Sequence, residues 1–236
     1  MNKEMKKAST KAIDMKALKK LVIFRSSMLF LILGLCFFLP AWSLRYWEGW
    51  LYLFIMAVPM AFFGIYLFKN DPQLLERRMR TKEKRKEQKL VIKLSLWCFP
   101  LIYILPGFDK RLGWSKVPLL VELISMALVL AGYFMIVAVF RANSYASRII
   151  EVEKSQQVIS TGPYAIVRHP MYSSQIVFYL FTPPALGSYW AMIPVVLFLL
   201  VYKIRIQGEE EELLENLEGY REYTQKVKYR LIPGVW

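Results

Sequence analysis

Residues 172–204 read YSSQIVFYLFTPPALGSYWAMIPVVLFLLVYKI. Two apolar stretches, Tyr172–Leu186 and Tyr189–Ile204, are separated only by Gly187 and Ser188. Their composition is typical of helices buried in a bilayer, and the short break between them predicts a tight helical hairpin. Each stretch is short and contains or adjoins prolines, so the hairpin need not cross the whole membrane.

Four further apolar runs precede the hairpin, at about Leu21–Leu39, Glu48–Phe68, Leu90–Pro106 and Val117–Phe140. The chain is 56% hydrophobic, which is more than a soluble domain usually contains, and the excess lies in these runs. We therefore expect an all-α, polytopic transmembrane helix bundle. It has five to six spans, the first ended by Pro40 and the last two forming the hairpin, and a cytosolic C-terminal helical tail follows.

The positive charges predict the orientation of this bundle. With six spans, most of the 32 Lys and Arg residues fall on one side, which also receives both termini and the Lys69–Lys89 loop. Because cytoplasmic segments are rich in Lys and Arg, both termini are expected in the cytoplasm. The membrane itself is expected to be the plasma membrane of a prokaryote. The loop is either a surface helix or a solvated run of charges.

The positions of the apolar runs and of the charged segments divide the chain into three parts. Residues 1–20 form a basic cytosolic segment, residues 21–140 hold the first four spans, and residues 141–236 hold the candidate catalytic region. The net charge of +14 favours contact with anionic membrane lipids, and no nucleic-acid-binding motif is present.

The inventory of metal-binding side chains is small. The chain has two cysteines, Cys36 and Cys98, both within apolar runs, and one histidine, His169. Two buried cysteines and one histidine do not build an ordinary zinc site, and haem held by two histidines is excluded. We expect no metal at the site.

Polar residues cluster in the segments Asn143–Tyr172 and Arg205–Tyr229, which both adjoin the hairpin on the cytosolic side. In the first segment, Pro170 fits the first turn of a helix, so His169 lies at a helix N-terminus that attracts anionic groups. The alternative is that His169 and Arg168 are interfacial anchors.

The second segment contains four successive glutamates, residues 209–212, near the end of a helix, where negative charge is unfavourable. Pairing with Arg205, which stands four residues before Glu209, or with Arg221 and Lys226 is one compensation, and a cationic ligand is the other. Together the two segments suit a zwitterionic ligand. S-adenosylmethionine is one such ligand among several.

The same residues resemble the isoprenylcysteine carboxyl methyltransferase family, which is related to phospholipid methyltransferases. The motifs that carry the resemblance run in order from about residue 141 to residue 236. They are QVI at 157–159, TGPY at 161–164, RHPMY at 168–172, RI at 205–206 with EE at 209–210, GY at 219–220, and YRLIP at 229–233.

This resemblance implies an enzyme, a methyltransferase dependent on S-adenosylmethionine. The residues that it places around the cofactor are Gln157, Val158, Ile159, Gly162, Tyr164, His169, Pro170, Tyr172, Glu209 and Glu210. It implies catalytic roles for Arg205, Glu209 and His169, with Arg205 facing a substrate carboxylate or the cofactor.

The expected acceptor is a lipophilic or small molecule that enters from the bilayer. A carboxylate acceptor is favoured and needs no general base, whereas a thiol or an amine would lose a proton, for which His169 and Tyr172 are candidates. Two other functions stay open: an NADPH-dependent membrane reductase related to sterol reductases, and a non-enzymatic protein that binds anionic lipid.

Overall fold

The computed structural model describes residues 14–79, 86–146, 152 and 156–236, and the backbone alone for residues 86–95. The first 13 residues of the predicted basic segment, residues 80–85 of the charged loop, and residues 147–151 and 153–155 of the catalytic region lie outside this description.

The described residues form an all-helical fold, and no strand occurs among them. Its eight α-helices are α1 (Met15–Ala41), α2 (Trp47–Asn70), α3 (Pro72–Met79), α4 (Lys86–Leu112), α5 (Leu119–Ala142), α6 (Pro170–Ala185), α7 (Met192–Asn216) and α8 (Tyr220–Lys226). A 3₁₀ turn at Gly162–Ala165 precedes α6. The predicted helical class is confirmed.

Three of the described helices, α1, α2 and α5, are long and apolar enough to cross a membrane. Helix α6 has 16 residues and is about 24 Å long, which is less than the ~30 Å of a hydrocarbon core. Helix α7 carries charges in its second half. The prediction of five to six spans stays a prediction.

Several helix boundaries differ from the sequence-based expectation. Helix α1 begins at Met15, six residues before the predicted run, and α4 extends from Lys86 to Leu112, past Pro106. Helix α1 continues through Pro40 and ends at Ala41, and Trp42 takes a left-handed conformation with φ 51°. A proline so close to the helix end removes only one late hydrogen bond, so the last turn survives. The predicted two-residue break in the hairpin is longer, because α6 ends at Ala185 and α7 begins at Met192.

Close helix contacts assemble the bundle. Helix α5 packs mainly against α6, and α4 lies between α1 and α7. A Cβ atom at Gly132 of α5 would stand 2.9 Å from the Phe178 nitrogen of α6, and one at Gly107 of α4 would stand 2.6 Å from the Phe37 oxygen of α1. Glycine at these positions allows the backbones to approach closely.

The bundle places apolar side chains both inside and outside. Aromatic rings such as Phe37, Tyr52 and Tyr103 fill its core, while Phe62 and Leu120 on the outer surface are 72% and 68% exposed. Helices that are apolar all round suit a lipid environment, which agrees with an integral membrane protein.

The first part of the charged loop forms a helix, α3, and its location on the membrane surface stays a prediction. Its Leu74 and Leu75 are buried against Leu18 of α1 and Leu67 of α2. The guanidinium of Arg25 reaches the end of this helix, where it donates to the Met79 main-chain oxygen at 2.7 Å.

Candidate functional site

The start of α6, the second half of α7 and the segment Val227–Trp236 meet at one end of the bundle. His169 is the residue before α6, and Pro170 occupies its first position, as predicted. Because proline has no N–H, it fits the first turn of a helix without losing a hydrogen bond. We call Val227–Trp236 the strap.

The strap is fastened to the start of α6 by backbone hydrogen bonds. The N–H groups of Arg168 and His169 donate to the main-chain oxygens of Tyr229 and Arg230, each at 2.9 Å. The Ser173 hydroxyl donates to the Leu231 oxygen at 2.6 Å. These contacts attach the loop before α6 to the strap, although the two segments are about 60 residues apart in the sequence.

Glu210 of α7 connects all three elements through its carboxylate. Its Oε1 accepts from Arg168 Nε at 2.7 Å and lies 3.2 Å from His169 Nε2, and its Oε2 accepts from Arg230 Nε at 2.7 Å. The residue is only 6% exposed. Both oxygens of Glu210 are thus occupied by side chains of the protein itself.

The charge state of Glu210 follows from these partners. Burial raises the pKa of its carboxyl, but the hydrogen bonds from His169 and Arg168 and the positive charge of Arg168 outweigh burial and lower the pKa to about 2. The carboxylate is ionised near neutral pH and only accepts hydrogen bonds. The hydrogen between Glu210 and His169 therefore belongs to Nε2 of the imidazole.

The neighbouring Glu209 is in a different environment. Its Oε2 accepts from the Tyr172 hydroxyl at 2.8 Å, and that hydroxyl in turn accepts from Arg205 Nε at 3.1 Å. The Glu209 side chain is 33% exposed, and its Oε1 has no hydrogen-bond donor among the described residues. Tyr172 thus links the arginine and the glutamate that were expected to meet as neighbours on one helix face.

His169 stands between the two glutamates. Its residue is 3% exposed, Nε2 faces Glu210, and Nδ1 lies 4.0 Å from Glu209 Oε2. Within the described part of the chain, Nδ1 makes no hydrogen bond. The imidazole therefore presents Nδ1 on the side of the open glutamate.

A second group of predicted residues surrounds the 3₁₀ turn. The Tyr164 hydroxyl accepts from Asn143 Nδ2 at 2.9 Å, and its main-chain oxygen accepts from the Tyr223 hydroxyl at 2.7 Å. Burial raises the pKa of Tyr164 and the charge of Glu209 adds to this increase, although the bond to Asn143 opposes it.

The remaining predicted residues frame this turn. Gly162 has φ 59°, a conformation that favours glycine. Val158 packs beside Tyr223 and Leu213, and Ile159 is half-buried, whereas Gln157 is exposed. The structure thus gathers His169, Pro170, Tyr172, Glu209 and Glu210 tightly, with Arg205 beside them, and places the residues of the turn next to them.

Sequence reasoning missed the partners of Glu210. Arg221 and Lys226, whose pairing with the glutamates was one of the two alternatives, are exposed and make no ion pair with any described residue. Arg168 and Arg230 take this role instead. The available signals were that Arg168 lies in the RHPMY motif and Arg230 in the YRLIP motif.

Residues 121–221 match the family model described as phospholipid methyltransferase. The matched segment runs from the first turn of α5 into α8, and it contains His169, Tyr172, Arg205 and both glutamates. The match confirms the resemblance drawn from the ordered motifs, and it supports a methyltransferase in a membrane protein. No curated protein matches the chain.

Proposed function

From the family match and the unequal environments of two neighbouring glutamates, we propose an integral membrane methyltransferase that uses S-adenosylmethionine. Its acceptor is a lipophilic or small molecule. The observation that carries this proposal is the open oxygen of Glu209 beside a fully occupied Glu210. Glu210 holds the surrounding side chains in place, and Glu209 is available to a ligand.

The available groups fit the amino-acid end of S-adenosylmethionine. Glu209 Oε1, without a donor among the described residues and on a partly exposed side chain, suits an ammonium group. The N-terminus of α6 suits a carboxylate, because the positive end of the helix dipole lies there.

The chemistry supplied by S-adenosylmethionine is transfer of its sulfonium methyl group to a nucleophile, with S-adenosylhomocysteine as the leaving group. The chain's own residues then align the acceptor and exclude water, which account for much of the rate in such displacements. Arg205, oriented by Tyr172, is the group that we assign to an acceptor carboxylate. For a thiol or amine acceptor, we assign His169 Nδ1 to receive the proton.

A lipophilic acceptor is supported by the surroundings of Tyr172. Its ring lies 5.1 Å from Tyr202, which lies 5.3 Å from Phe198, measured between ring centroids. This aromatic row leads from the polar site into the apolar bundle. We propose that the acceptor approaches laterally from the bilayer, on the cytoplasmic side of a prokaryotic plasma membrane rich in anionic lipid.

Calorimetry in detergent tests the role of Glu209 with S-adenosylhomocysteine as the probe. A charge-assisted hydrogen bond contributes about 1.5–3 kcal/mol, so Glu209→Gln should weaken binding by roughly 10-fold or more. Glu215→Gln, which removes a charge at an exposed position of the same helix, is the matched control and should bind as the wild type does.

Two outcomes would overturn the proposal. The first is a folded wild-type protein that binds no S-adenosylhomocysteine. The second is thermal stabilisation by NADPH without stabilisation by S-adenosylhomocysteine, which would favour the reductase alternative.

A further inference from the structure

A groove on the outer surface of α1 combines positive charges with apolar side chains. The described residues that line it are Lys16, Lys19, Lys20, Ile23, Phe24 and Ser27. All six are exposed. They recur at spacings of three and four residues, so they share one face of the helix, on the side opposite the buried Leu18. None of them is used by the proposed methyltransferase.

The three lysines of this groove are not neutralised by the protein. Within the described part of the chain, their ammonium groups make no ion pair and no hydrogen bond. The Asp14 carboxylate, just before the helix, caps the first turn, where its Oδ1 accepts from the main-chain N–H groups of Lys16 at 3.0 Å and Ala17 at 3.1 Å. The ammonium groups are therefore available to an anion from outside the protein.

Arginines near the same end of the bundle are engaged differently. Arg25 of α1 donates to the Met79 main-chain oxygen at 2.7 Å. Arg77 of α3 donates to the Ser144 main-chain oxygen at 2.9 Å and is only 8% exposed. These arginines hold helices together, whereas the three lysines contact no neighbouring helix through their charges. The groove thus has the charge of a binding surface without a role in packing.

The position of the lysines along α1 indicates which layer of the bilayer they meet. The 20 residues from Leu21 to Pro40 extend about 30 Å, which equals the thickness of a hydrocarbon core. Trp42 follows at the far end and is 78% exposed, and tryptophan favours the membrane interface. The three lysines therefore lie at the level of the lipid headgroups. Ile23 and Phe24 lie at the level where the acyl chains begin.

This arrangement complements an anionic phospholipid better than a soluble anion. Ammonium groups bind phosphate oxygens through charge-assisted hydrogen bonds. The acyl chains of the same molecule can cover Ile23 and Phe24, which are 55% and 61% exposed. A soluble anion leaves this apolar half of the groove without a partner. A zwitterionic headgroup carries its own cation, which the lysines repel.

We propose that this face of α1 binds an anionic phospholipid of the surrounding bilayer. The phosphate lies among the three lysines, and the acyl chains lie along Ile23 and Phe24. The proposal gives the general attraction of a basic membrane protein to anionic lipid one defined position. It does not depend on the methyltransferase proposal.

Binding of phosphatidylglycerol, labelled on an acyl chain, to the full chain in non-ionic micelles tests the site. Each lysine near anionic headgroups contributes about 5-fold in affinity. The triple variant Lys16→Gln/Lys19→Gln/Lys20→Gln should therefore bind the labelled lipid about 100-fold more weakly than the wild type. Labelled phosphatidylcholine should bind both proteins weakly and equally.

The matched control removes the same number of charges from exposed positions on other elements. It is the triple variant Lys69→Gln/Lys116→Gln/Lys203→Gln, and it should bind phosphatidylglycerol as the wild type does. The lysine variant of the groove retains the positive charges that precede Asp14, so it keeps a charge signal for the insertion of α1. These charges are Lys3, Lys6, Lys7 and Lys11.

Two competitors distinguish a lipid from a soluble anion. Unlabelled phosphatidylglycerol should displace the labelled lipid, whereas glycerophosphoglycerol, which has the same headgroup without acyl chains, and inorganic phosphate should not do so at equal concentration. Displacement by either soluble anion would overturn the proposal. Equal affinities of the two triple variants, or equal binding of phosphatidylcholine and phosphatidylglycerol to the wild type, would overturn it as well.

A measurement on the wild type alone keeps the test decisive if the groove variant is poorly produced. Salt screens exposed charges, so the affinity for phosphatidylglycerol should fall as the ionic strength rises. An affinity that does not change with salt would contradict binding through the lysines.

Discussion

Replacing Glu210 with glutamine should destabilise the protein at the candidate site, because this carboxylate contacts Arg168, His169 and Arg230 together. The magnitude follows from its pKa, which its partners lower from the usual 4.5 to about 2. One pKa unit corresponds to about 1.4 kcal/mol, so the interactions of the ionised carboxylate stabilise the fold by about 3 kcal/mol. The same range is found when one partner of a buried ion pair is removed.

The pH dependence has a definite sign. The folded pKa of Glu210 is lower than the unfolded pKa, so its contribution is complete above about pH 4.5 and is lost as pH falls toward about 2. Glu210→Gln should remove this acid-sensitive component, and at neutral pH it should lower the free energy of unfolding by about 3 kcal/mol.

Reversible unfolding in mixed micelles, followed by circular dichroism, measures both effects. Glu215→Gln on the exposed face of the same helix is the matched control, and it should change stability by less than about 0.5 kcal/mol. The reasoning would be refuted if the two variants had equal stability. It would also be refuted if Glu210→Gln retained the wild-type loss of stability between about pH 4.5 and pH 2.

Two further substitutions test contacts of the site and of the bundle. Tyr172→Phe removes the hydroxyl between Arg205 and Glu209. Calorimetry should show about 5-fold weaker binding of S-adenosylhomocysteine, as expected for one lost hydrogen bond. Unchanged affinity would exclude a role of the Tyr172 hydroxyl in binding. Gly132→Ala brings a Cβ atom to 2.9 Å from the α6 backbone and should cost about 1–3 kcal/mol in the unfolding assay. Gly64→Ala, where nothing lies within 4 Å, is its control and should be neutral or slightly stabilising, and equal effects of the two glycine substitutions would contradict the close contact.

The helices were largely predictable because their signals are local. Runs of apolar residues place α2 and α5 within two residues of their bounds, and the His169–Pro170 dipeptide marks the start of α6. The bounds that differ depend on tertiary contacts. Helix α1 passes Pro40 where it meets Gly107 of α4, and periodicity within one segment carries no information about such a neighbour.

The candidate site was predictable in its members and not in their pairing. Glu209 and Glu210 have the same local pattern, yet one is open and the other is enclosed by three side chains. This difference arises because Gly219, with φ 81°, reverses the chain before α8, and the strap then returns to place Arg230 beside Glu210.

The position of the strap in the chain has a consequence for biosynthesis. The strap supplies Arg230 to Glu210 and accepts the N–H groups of Arg168 and His169, but it is synthesised only after α6 and α7. We therefore expect the hairpin to enter the membrane first, with a buried carboxylate that still lacks one of its cations. A chain released by the ribosome before the strap would carry every predicted cofactor ligand but would lack the contacts of Arg230 with Glu210 and of the strap with Arg168 and His169.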